Sequence, residues 1–109
     1  MGEFEQIVLL ALLRLGEGAY GMEVRQEIAA RTGRDVSIGA VYKTLERLER
    51  KGFVRHRLGD PTPERGGRAK KHYRVLREGR AALAETRRVV GAMWDGVADA
   101  VATDTGEGG

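Results

Sequence analysis

Residues 36–54 run Val36-Ser37-Ile38-Gly39-Ala40-Val41-Tyr42-Lys43-Thr44-Leu45-Glu46-Arg47-Leu48-Glu49-Arg50-Lys51-Gly52-Phe53-Val54, and this stretch decides the fold. Ile38, Val41, Leu45 and Leu48 recur at spacings of 3, 4 and 3, the repeat of one helix face. Ser37 stands just before the run and suits an N-cap, because its hydroxyl accepts from an amide left unpaired in the first turn. Val36 and Val41 occupy the two positions of a hydrophobic staple. Gly52 ends the pattern, where a helix terminus favours a left-handed residue. The spacing predicts a helix over 37–51. Its outward side offers Gly39, Ala40, Lys43, Thr44 and Arg47, with Tyr42 beside them. Small residues there let the backbone approach a partner closely, and the cations reach phosphates or guanine edges.

Two further helices precede this one. Phe4, Ile7, Val8, Ala11, Leu12 and Leu15 recur at helical spacing, and Leu9, Leu10 and Leu13 fill much of the opposite side. A helix apolar nearly all round is buried on more than one face, and in a domain this small the second face is expected to meet another subunit. Tyr20, Val24 and Ile28 mark a second helix, closed by Gly33. Only Arg34-Asp35-Val36 then separates it from Ser37. Two helices joined by so short a turn form a helix-turn-helix, whose second helix fits the DNA major groove.

Downstream, Phe53 to Leu58 is predicted to form a strand, Gly59 to Gly67 a loop, and Ala69 to Val75 the returning strand, with Tyr73 and Val75 on one face. A last helix is predicted from Arg77 to about Ala102. Leu76, Leu83, Val90 and Val97 repeat every seven residues, joined by Trp94 and Val101, while Arg80 and Arg87 hold the earlier places of that second series. The expected fold is mainly α with a small β-hairpin. It comprises a winged helix-turn-helix over 1–76, one long dimerisation helix over 77–102 and a frayed tail over 103–109.

Composition narrows the function. The chain has 109 residues, no Cys and two His, His56 and His72. Disulfides, thiolate metal sites and a cysteine nucleophile are excluded. The longest apolar run, Ile7 to Leu13, is far shorter than the roughly 20 residues of a membrane helix. With no basic N-terminal leader segment in view, a cytoplasmic location is expected. Net charge is only +3, but residues 50–74 hold nine Lys/Arg against Asp60 and Glu64, so the hairpin region carries +7. Such a stripe is the footprint of a polyanion binder. No Ser–His–acid set and no phosphate-cradling Gly loop occurs, so neither an enzyme nor a cofactor is expected.

Three motifs carry a family resemblance. Gly18-Ala19-Tyr20-Gly21-Met22-Glu23-Val24, the stretch from Ser37 to Val54, and Gly67-Arg68-Ala69-Lys70-Lys71-His72-Tyr73 together resemble PadR-family transcriptional regulators. The resemblance covers about residues 4–83 and extends to the short branch with a single helix after the wing. It implies a homodimeric winged-helix repressor whose last helix helps make the dimer. Lys43 stands where that family often has Pro, and Leu76 where a capping Thr usually leads into the last helix.

The candidate DNA contacts are Ser37, Gly39, Ala40, Tyr42, Lys43 and Arg47 on the reading helix, and Arg65, Arg68, Lys70 and Lys71 in the wing. A dimer would present two such helices to a two-fold operator on double-stranded DNA. The candidate dimer contacts are Leu9, Leu10, Leu13, Val90, Met93, Trp94, Val97 and Val101. Trp94 reads as dimer core, or as the wall of an effector pocket in which Asp95 favours a planar aromatic cation. His56 and His72 lie on facing strands, but a metal site without a further ligand is not expected. The alternative function is a winged-helix module that binds a protein partner without reading DNA; its wing would expose more apolar surface.

Overall fold

The structure is a computed structural model. It describes residues 1–16, 18–59 and 70–107, with backbone alone over 103–107. Helices α1 (Glu3–Leu15), α2 (Gly21–Thr32) and α3 (Ile38–Arg50) precede strands β1 (Val54–Leu58) and β2 (Lys71–Val75); helices α4 (Arg77–Trp94) and α5 (Ala98–Glu107) follow. The strands pair antiparallel, with Val54 opposite Val75 and Leu58 opposite Lys71. Tyr73 N–H also donates to the Ala19 carbonyl at 2.7 Å, so the link between α1 and α2 adds one rung to the sheet.

The first three helices and the hairpin each give one face to a common core, and Leu83 of α4 packs against it. Val8, Leu9 and Leu12 from α1 meet Val24 and Ile28 from α2, Val41, Leu45 and Leu48 from α3, and Val54, Tyr73 and Val75 from the hairpin. Leu9 is fully buried, which removes it from the expected subunit-facing side. On α1 two apolar stripes compete, and the core takes the one through Glu5, Val8, Leu9 and Leu12, leaving Leu10 and Leu13 exposed.

The ends of α3 follow the predicted chemistry. Ser37 Oγ accepts from the Ala40 amide at 3.0 Å. At the other end Gly52 takes φ of 80°, its amide donates to the Glu49 carbonyl, and the Phe53 amide donates to that of Leu48. This double bond pattern caps the last carbonyls and turns the chain into β1 within two residues.

The segment after the wing departs from the expected single helix. α4 begins at Arg77 as predicted, with no side-chain cap at Leu76. It stops at Trp94, Gly96 takes a left-handed φ of 84°, and α5 resumes at Ala98. The Asp95-Gly96 pair makes a turn inside a seven-residue repeat that continues across it. α5 then runs to Glu107, past the point where fraying was expected.

Candidate nucleic-acid interface

Burial fixes the orientation of α3. Val41, Thr44, Leu45 and Leu48 face the core. The opposite side therefore carries Gly39, Lys43, Glu46 and Arg50, all exposed. Thr44, expected outward, is buried, because it shares the inner face with Val41 and Leu48. Ala40 is half-buried at the flank. Ser37 remains exposed, but its oxygen is committed to the cap.

Tyr42 leans back against α2. A Cβ on Gly21 would lie 2.6 Å from two atoms of the Tyr42 ring, so only glycine permits this contact. The ring is thereby held beside the outward face of α3 with 38% of the residue exposed.

Arg47 points toward α1. Its guanidinium comes to 3.8 Å from Glu5, which Lys51 Nζ also contacts at 2.9 Å. Glu5 is a buried carboxylate that the sequence pattern did not single out, since an acid in a first helical turn is ordinary. Burial alone would raise its pKa. The Lys51 ammonium, the Gly2 amide and Arg47 outweigh that effect and hold it below the usual carboxylate range. Arg47 thus neutralises a buried charge and keeps half of its side chain in solvent.

The hairpin divides its side chains by alternation. Val54, His56, Tyr73 and Val75 share the inner face, and Arg55, Arg57, His72 and Arg74 the outer one. His56 and His72 therefore point to opposite sides and cannot share a metal. His56 pairs with Glu49 at 2.8 Å, and His72 Nδ1 bonds the Gly18 carbonyl. No cluster of three metal-ligating side chains occurs among the described residues. For Glu49, burial raises the pKa, but its bonds to His56 more than compensate and lower it. Tyr73 is buried, and its hydroxyl has no partner among the described residues. Burial, reinforced by Glu49, Glu46 and Tyr42, pushes its pKa up to about 12.

Lys71 opens β2, and Lys70 Nζ lies 4.1 Å from the centre of the Tyr20 ring. Arg65 and Arg68 lie outside the described residues. The outer-face arginines were countable in the +7 stretch, yet they show as one surface only once the strand register is known.

The expected dimer contacts other than Leu9 gather on another side. Leu10 and Leu13 of α1 and Val90 and Trp94 of α4 line one groove of about 470 Å³. Val90, Met93, Trp94, Val97 and Val101 form an adjoining exposed apolar strip. Arg80 and Arg87 also line the groove and Asp95 does not, so its charge suits a planar cation poorly. No described helix is long and apolar enough to cross a membrane.

A short-linked pair of helices, a capped outward face and a basic hairpin define a winged helix-turn-helix protein. Residues 9–85 match the transcriptional regulator PadR-like family, and the chain belongs to that family of regulators, not of enzymes. It is 41% identical to the transcriptional regulator Rv3488 of Mycobacterium tuberculosis over 73 residues, which span 65% of this chain and 62% of that protein, less than two thirds of its length. A PadR family transcriptional regulator from Eggerthella lenta superposes with a TM-score of 0.71 at 26% identity, covering 91% of this chain and 86% of that one. Bacillus subtilis PadR in complex with operator DNA shares the fold, with a TM-score of 0.67 at 22% identity over 78% of this chain and 46% of that one.

Proposed function

We propose that the chain is a DNA-binding repressor that works as a homodimer on a two-fold operator. The observation that carries this is the outward face of α3: Gly39, Lys43, Glu46 and Arg50 stand clear of the core beside a hairpin whose strands carry Arg55, Arg57, Lys71 and Arg74. α3 enters the major groove, and the wing, through Lys70, Lys71, Arg65 and Arg68, follows the backbone. Lys43 donates to guanine O6 and N7, and Glu46 accepts from cytosine N4. A carboxylate facing a polyanion is unfavourable unless a base donor meets it, so Glu46 rejects sites lacking that donor. The Bacillus subtilis relative's complex with operator DNA supports the same use of this fold.

The dimer forms across Leu10, Leu13, Val90, Met93, Trp94, Val97 and Val101. Their shared exposure on one side supports this assignment. A planar aromatic effector stacks on Trp94, and the flanking Arg80 and Arg87 favour a neutral or anionic one. A cytoplasmic location follows from a DNA partner.

The test is selection of bound duplexes from a random pool, followed by anisotropy titration. The expected result is an imperfect palindrome with half-sites about one helical turn apart. If 6 to 10 phosphates are neutralised, affinity falls by about 10³- to 10⁵-fold between 50 and 200 mM salt. No enriched sequence and a flat salt dependence would leave a protein-binding module instead.

A further inference from the structure

We propose that the outer face of the two wing strands is a phosphate-binding site, separate from the reading helix. Arg55 stands directly opposite Arg74, and Arg57 opposite His72. Like charges at directly opposed positions destabilise a sheet. Among the described residues none of the three guanidinium groups has an ion pair or hydrogen bond; Arg14, Arg50, Arg77, Arg80 and Arg87 share that lack, but only Arg55 and Arg74 are guanidinium-bearing residues set directly opposite each other on paired strands. The fold concentrates this repulsion on one surface, and no carboxylate among the described residues compensates it.

That surface is concave. Arg55, Arg57, His72 and Arg74 line a cleft of about 220 Å³ closed on one side by Gly18. Gly18 has φ of 83°, and Arg57 Nη2 occupies the space beside it, 3.3 Å from where a Cβ would stand. The Gly18 carbonyl takes the Nδ1 proton of His72, which leaves Nε2 as the ring's free nitrogen. The edge of Tyr20 packs on the same imidazole at 5.8 Å. The link between α1 and α2 therefore fixes the His72 ring in the cleft, with the Arg57 guanidinium packed beside Gly18. Forked guanidinium donors match the oxygens of a phosphate, and an anion among them relieves the cross-strand repulsion.

The phosphate has two sources: the backbone of DNA flanking the operator, or a free phosphate ester. Melting of the full-length protein in pyrophosphate, against chloride at equal ionic strength, tests the site without any operator. Pyrophosphate at roughly five times its Kd raises Tm by about 4–8 °C. The double variant Arg55→Gln with Arg74→Gln loses that shift, while its own Tm in chloride equals or exceeds that of the native chain, because the repulsion is gone.

A second arm compares operator duplexes trimmed to the half-sites with duplexes extended by one turn at each end. If the source is flanking DNA, the native chain binds the extended duplex more tightly. The double variant loses that gain, and its salt slope falls by about one for each contact removed. A pyrophosphate shift without a length effect assigns the site to a free ester. Absence of both effects, or a shift equal in the native chain and the variant, overturns the site. If no duplex binds at all, the reading of α3 fails while the melting arm still decides this one.

Discussion

Replacing Gly39 by Ala separates folding from DNA reading within a single residue. Gly39 is the second residue of α3, is exposed, and has open space around the position its Cβ would take. Its φ is not in the left-handed region. Alanine there loses less backbone entropy on folding. Glycine costs about 1 kcal/mol in a helix interior and less in the first turn, so a gain of about 0.5 kcal/mol is expected. For a domain of this size that raises Tm by roughly 2–4 °C. On DNA the sign reverses. Gly39 shares the outward face with Lys43 and Glu46, so the new methyl stands where the helix backbone approaches the groove. Overpacking a close contact costs about 1–3 kcal/mol, or roughly 5- to 150-fold in Kd. Thermal melting by circular dichroism and anisotropy titration on the selected operator read the two effects independently. Unchanged operator affinity would refute the close approach at Gly39, and a lowered Tm would refute the open space around it.

Three other perturbations have defined outcomes. Gly79→Ala places a Cβ 2.5 Å from the Phe53 carbonyl oxygen and 2.9 Å from Val75 Cγ1; melting should show a loss of about 1–3 kcal/mol, and a rise in Tm would refute the contact. Glu5→Gln should destabilise the fold near neutral pH, because the carboxylate's depressed pKa contributes stability above its ordinary value of 4.5 that is lost as pH falls through the folded value. The gap in stability between native chain and variant should therefore close in acid, and a gap constant from pH 7 to 3 would refute the assignment. Val97→Asp should move the protein from about twice the chain mass of 12.0 kDa toward the monomer in light scattering at micromolar concentration, since it puts an unpaired charge in the proposed seam; unaltered mass would place the dimer elsewhere.

What was legible in the sequence was local chemistry. The Ser37 cap, the 38/41/45/48 stripe and the Gly52 terminus each act within a few residues, and all three stand where the pattern put them. Leu9 was not legible, because α1 is apolar on nearly every side and only α2, α3 and the hairpin decide which stripe they cover. Thr44 departs from its expected outward place for the related reason that a small polar residue can fill an inner position. The break at Gly96 was hidden by a seven-residue repeat that runs through it, although Asp95-Gly96 is turn chemistry. On the candidate interface, Lys43 followed from the helix phase alone. Arg55, Arg57 and Arg74 needed the strand register, and Glu5 needed the long-range approach of Lys51.

The carbonyl of Phe53 occupies a crowded junction. It accepts from the Leu76 amide at 2.9 Å where α4 begins, and Gly79 presses on it with no room for a methyl. Phe53 itself sits between the end of α3 and the start of β1. Three elements therefore share one pivot, and the pivot has no slack. In the proposed dimer α4 acts as the arm of a lever whose short end is the reading helix. A small tilt of α4 against its partner would be passed through Phe53 to α3 and would change the distance between the two reading helices. In that proposed dimer the spacing of operator half-sites would be set far from the DNA, by how α4 seats on its twin.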